Sequence, residues 1–142
     1  MLLVYRVTLP GRVTVASSRA QTGSGSNAHI MGLVFTGAKP KSLLLRGVGP
    51  TLASFGVATP VADPVLTIYN SGAQPVFTND NWNDSPELSA LRSATAATGA
   101  FVLPEASKDA AGLLTLDPGA YTVHVSSASA AGISLIEAYE VP

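Results

Sequence analysis

Residues 113–125 read LLTLDPGAYTVHV, and the fold follows from this stretch. Asp117-Pro118-Gly119 is a turn: proline presets one backbone angle and glycine supplies the freedom that the reversal needs. Before it, residues 110–116 form a short apolar run. After it, Tyr121, Val123 and Val125 alternate with Thr122 and His124, the period of two of a half-buried strand.

The same grammar continues in both directions. Residues 2–8 and 12–17 read as strands around the Pro10-Gly11 turn. Residues 21–27 (QTGSGSN) form a polar glycine loop, followed by strands over 29–36 and 42–48. Residues 49–64 contain three prolines and read as an irregular crossing between sheets. Strands are expected over 65–70 and 75–78, joined at Asn70-Ser71-Gly72, then over 99–103, 110–116, 121–126 and 133–141. Ser85-Pro86-Glu87 has the order of a helix start, and Leu88 and Leu91 lie on one helical stripe, so one short helix is expected over 86–95. Together these predict one all-β domain over 1–142, an antiparallel, jelly-roll-like β-sandwich of nine or ten strands.

Composition narrows the function. Among 142 residues, Lys plus Arg number 8 and Asp plus Glu 9, giving a net charge of −1, so the clustered positive charge of a nucleic-acid protein is missing. Charged residues make up 12%, about half the usual ~25%. A surface so poor in charge repels its own copies weakly, which favours association. The chain has no cysteine, so disulfides, cysteine-ligated metals and thiol catalysis are excluded. No apolar run approaches the ~18–20 residues of a membrane span. Arg6 interrupts the apolar start before it reaches signal-peptide length.

Several segments together resemble a module of large secreted and surface proteins of environmental bacteria: LLLRGVGPTLASFGV (43–57), ADPVLTIY (62–69), NDNW (79–82), LLTLDPGAYTVHV (113–125) and GISLIEAYEV (132–141). The module occurs in tandem or near the C-terminus, and the resemblance spans about residues 18–142 of this chain. It implies an extracellular or cell-surface location and no catalytic activity. A looser resemblance is to bacterial pre-peptidase C-terminal domains, β-sandwiches with comparable hairpin and L-x-P-G-x-Y-x-V-x-V segments. Asn70 stands where those domains often have Asp, which removes one carboxylate.

Catalytic signals are absent. His29 and His124 lie on expected strands with no acid at zincin spacing, and no G-x-S-x-G elbow occurs. The candidate site is the Asn/Asp loop. Asp63, Asn79, Asp80, Asn81 and Asp84 offer the hard oxygen donors of a calcium site, although position six from Asn79 is Asp84 where an EF-hand has glycine. The alternative is a turn whose side chains bond their own backbone. Trp82 reads either as a sugar-stacking platform or as a plug at one end of the sandwich. Arg46, inside an apolar strand, is expected to face solvent, pair with a carboxylate or anchor a loop carbonyl.

One echo links the chain ends: LLVYRV (2–7) resembles IEAYEV (136–141), placing Tyr5 and Tyr139 at equivalent points and marking both as candidate interface residues. Residues 1–18 read as a connector or donated strand, or as ordinary strands of the domain's own sheet. The primary functional expectation is a non-enzymatic extracellular structural module. It would be a repeat of a surface adhesin or a protomer of a filament or sheath, cohering with copies of itself through strand edges. The alternative is an accessory module of a secreted enzyme or adhesin that binds polysaccharide or protein.

Overall fold

The computed structural model of the chain describes residues 2–6 and 14–142. Among these, nine strands form two sheets: β1 (Leu2–Arg6), β2 (Val15–Thr22), β3 (His29–Phe35), β4 (Lys41–Val48), β5 (Pro64–Asn70), β6 (Pro75–Asn79), β7 (Ala110–Leu116), β8 (Gly119–Ser127) and β9 (Gly132–Glu140). One sheet has the order β1-β3-β8-β5-β6 and the other β2-β9-β4-β7. The eight strands β2 to β9 pair antiparallel throughout, and their orders, 3-8-5-6 and 2-9-4-7, are those of a jelly roll. The expected sandwich is therefore present. Strand β1 is an addition to it, running parallel to β3 at the sheet edge with Leu2 opposite Ile30 and Arg6 opposite Val34.

Two turns differ in role from the sequence reading. Strands β1 and β2 belong to opposite sheets and do not form a hairpin; Pro10-Gly11 lies outside the described residues. The Asp117-Pro118-Gly119 turn likewise joins β7 in one sheet to β8 in the other. Turn chemistry encodes a reversal, not the neighbour with which each strand bonds. The β5–β6 turn is a true hairpin: Asn70 Oδ1 accepts the N–H groups of Gly72 and Gln74, both at 3.0 Å.

Leu33, Leu45, Leu66, Ile68, Val123 and Ile136 form the core between the sheets. The opposite face of the four-stranded sheet is also buried, by Trp82, Leu91, Ala94 and Leu103 against Leu44 and Val48. That second cover explains why β4 (KSLLLRGV) is buried continuously from Leu43 to Val48 and does not alternate.

The covering layer is helix α1 (Leu88–Thr98) and the segment after it. The helix begins later than expected. Ser85 Oγ accepts the Glu87 N–H at 3.1 Å, so the serine closes the preceding turn and Glu87 takes the N-cap position. It runs on to Gly99, whose φ of +74° allows the left-handed stop. Residues 99–103, expected as a strand, are irregular, because Phe101 turns its carbonyl inward to Arg46. Three short 3-10 turns complete the described residues: Gly25–Asn27, Pro50–Phe55 and Trp82–Asp84.

Candidate functional site

The Asn/Asp loop follows β6 and enters the Trp82–Asp84 turn. Trp82 is buried, packs on Leu91 and Leu103, and donates its indole N–H to the Pro104 carbonyl at 3.1 Å. It is the plug of the two sequence alternatives, not a platform. Tyr69 and Tyr121 are only half exposed, so the three aromatics do not form a sugar-stacking surface.

The five candidate calcium ligands are not brought together as a set. Asn79 is fully engaged: its Nδ2 donates to the Asn81 carbonyl and its Oδ1 accepts the Ala111 N–H, both at 3.1 Å. The Asn81 carbonyl also accepts the Asp84 N–H, which makes this loop a self-bonded turn. Asp63 and Asp80 do lie side by side. Desolvation, then the Asp63 charge and hydrogen bond, raise the Asp80 pKa; Asp84 adds to the rise, while Lys108 opposes it. Lys108 Nζ stands 4.0 Å from Asp63 Oδ2. Among the described residues, no three His, Cys, Asp or Glu side chains gather as a metal-holding group.

The carboxylate that organises this end is one the sequence reading missed. Asp109 is fully buried, and its Oδ1 accepts the N–H groups of Gly49 at 2.8 Å and Thr51 at 3.4 Å. Its Oδ2 accepts the Thr51 hydroxyl, and its main-chain carbonyl accepts the Trp82 N–H at 2.9 Å. One residue thus holds the RGVGPT loop, the Trp82 turn and the start of β7. The available signal was a lone Asp opening an apolar strand, opposite a Gly-Pro-Thr loop with donors to satisfy.

Arg46 is fully buried beneath the covering layer. Its cross-strand partner is Glu137, with Nε donating to Oε1 at 3.1 Å. Its Nη1 donates to the Phe101 carbonyl at 2.6 Å, and the guanidinium lies 4.1 Å from the Phe101 ring centroid. Tyr139 donates to the other Glu137 oxygen and is itself buried. Burial and then the Glu137 bond push the Tyr139 phenol beyond its ordinary range. Tyr139 is therefore an interior residue, removed from the interface role that the terminal echo implied. The Tyr5 side chain lies outside the described residues.

His29 is buried between the sheets among hydroxyls. Ser18 Oγ lies 2.9 Å from Nε2, Ser134 Oγ lies 2.9 Å from Nδ1, and Thr22 Oγ1 lies 2.6 Å from Ser134 Oγ. A neutral imidazole satisfies both sides, donating to one and accepting from the other. Burial lowers its pKa to about 4. Unfolding restores the ordinary value near 6.5, so between pH 6.5 and 4 the unfolded chain binds a proton that the folded chain refuses. Stability should fall across that window as the pH drops, by about 3 kcal/mol from this group. His29→Gln should flatten this part of the profile, which urea unfolding at pH 7 and pH 4.5 would read. An unchanged slope in the variant would refute it.

The remaining surface of interest is the strand edges. Strands β1 and β2 edge the sandwich on one flank, and β6 and β7 on the other. Sheet edges present unpaired N–H and C=O groups to any extended chain unless they are covered. On β7 the first part is covered, by Trp82 bonding the Asp109 carbonyl and Asn79 bonding the Ala111 N–H.

No family model matches the chain, and no curated protein matches it. Among solved structures it is similar to the pre-peptidase C-terminal domain of a collagenase from Bacillus anthracis. That similarity has a TM-score of 0.54 at 6% identity, over 97% of this chain and 94% of the other. At that identity the likeness is one of fold, and it agrees with the looser of the two sequence resemblances.

Proposed function

We propose that this chain is a non-catalytic extracellular structural module that coheres with copies of itself through its strand edges. The observation that carries the reading is the surplus strand: β2 to β9 complete a jelly roll, and β1 adds a parallel edge strand to it. A strand that the sandwich does not require is free to serve as a link. The low charge supports the same reading. The fold shared with a domain of a collagenase supports the coarser part of it, an accessory extracellular domain. The burial of Trp82 weighs against polysaccharide binding as the main role.

The linking segment is shorter than residues 1–18. Ala16 and Ser18 are buried in β2, which pairs along its whole length with β9, so residues 15–18 belong to the domain. Deleting residues 1–13 should leave a folded chain with an unchanged circular dichroism spectrum. The intact chain should form concentration-dependent oligomers in analytical ultracentrifugation and linear particles in negative stain, and the deleted chain should remain monomeric. Millimolar calcium should not alter this, because only Asp63 and Asp80 of the acidic set are adjacent. An intact chain that is monomeric at every concentration would refute self-cohesion. Oligomers only with calcium would assign Asp63 and Asp80 a ligating role.

A further inference from the structure

The β7 edge is half open. Ala111 turns its N–H away from β4 toward Asn79, so the Arg46–Ala111 pair is a non-hydrogen-bonded pair of the antiparallel ladder. Alternation then fixes the rest: the N–H and C=O groups of Leu113 and Thr115 also point outward. Trp82 and Asn79 cover the edge only as far as Ala111. Beyond that, a groove of about 550 Å³ runs beside residues 113–117, between them, Val76 and Phe77 of β6, and the turn at 85–87. Its lining mixes apolar side chains, among them Val76 at 45% exposed, with polar ones. Its rim carries the carboxylates of Glu87 and Asp117, neither of which forms an ion pair among the described residues.

A backbone edge beside a groove that offers apolar side chains is the geometry of strand addition, in which main-chain bonds give affinity and alternate side chains fill pockets. The acidic rim selects an extended apolar segment carrying a cation. Strand β1 (LLVYR) is such a segment, with four apolar or aromatic residues followed by Arg6, and its five residues are enough to span residues 113–116, the open part of β7. It also lies on the opposite flank of the sandwich from β7. Donor and acceptor on opposite flanks make a head-to-tail contact, which extends into filaments or closes into rings.

We propose that the open half of β7 accepts strand β1 of a second copy as an added edge strand. This rests on the cohesion reading and names its acceptor. The test is fluorescence anisotropy of a labelled LLVYR peptide with the full chain, alongside the mass of the chain in solution. Thr115→Pro removes an outward N–H on an edge strand, where proline is tolerated, and should weaken peptide binding at least tenfold and reduce oligomer mass. Glu87→Lys with Asp117→Lys, both at the groove rim, should weaken the peptide similarly and restore binding to a peptide with Arg6→Glu. Unchanged binding in both variants would overturn the assignment, as would equal binding of a scrambled peptide. Intact oligomers in the Thr115→Pro chain would leave cohesion standing and remove β7 as its acceptor. A monomeric chain whose groove still binds the peptide would remove cohesion and keep the acceptor.

Discussion

Asp109→Ala should lower the unfolding free energy by about 3 kcal/mol or more, because three buried donors, each costing about 1–3 kcal/mol when left without an acceptor, lose theirs. The donors are the N–H groups of Gly49 and Thr51 and the Thr51 hydroxyl. Water cannot replace the carboxylate, because Asp109 is fully buried and Thr51 nearly so. Asp109→Asn should cost only about 1 kcal/mol, since one amide oxygen can still accept both N–H groups and the amide nitrogen can donate to the Thr51 oxygen. Urea unfolding of the two variants separates acceptor geometry from charge: equal large losses would make charge the essential property, and no loss in Ala would refute the role altogether. Gly49 is the other half of the device. A Cβ there would stand 2.2 Å from the Val61 carbonyl oxygen, so the loop can approach Asp109 only with glycine at that position.

Strand positions were legible because they depend on local alternation and punctuation. Tyr121, Val123 and Val125 point inward in β8 much as the spacing implies, and Asn70-Ser71-Gly72 closes a hairpin. Partner choice was not legible. The Pro118-Gly119 reversal is compatible with a hairpin or with a corner between sheets, and only the completed jelly roll decides for the corner. The expected strand at 99–103 failed for a similar reason: Phe101 has a strand former's side chain, but its carbonyl is drawn to a guanidinium 55 positions away in sequence. The acidic loop misled because Asn and Asp serve turns and cations with the same oxygens, and here Asn79 spends both ends on backbone. Asp109 went unnoticed because its partners, Gly49 and Thr51, lie 60 and 58 positions away.

Arg46→Met should cost about 3–5 kcal/mol, because it leaves the Glu137 carboxylate buried without its cation. Glu137→Leu alone should cost a similar amount, stranding a guanidinium that is fully inaccessible to solvent. The triple change Arg46→Met, Glu137→Leu, Tyr139→Phe should recover most of either loss. It removes the charges and the phenol together, from a site already walled by Phe101, Leu44 and Leu103. The recovery distinguishes an electrostatic unit from simple packing. If the side chains acted only as filler, their losses would add, and the triple variant would be the least stable. Chemical unfolding of the two single variants and the triple decides between them. The same measurement reaches the fold's third layer, because the Phe101 carbonyl is held by Arg46 Nη1 and residues 99–103 cover the sheet through that bond. Loss of α1 and its following segment at lower denaturant than the sandwich is therefore expected in Arg46→Met, seen as a Trp82 fluorescence transition that precedes the loss of strand signal. A single coincident transition in that variant would mean that the covering layer does not depend on the guanidinium.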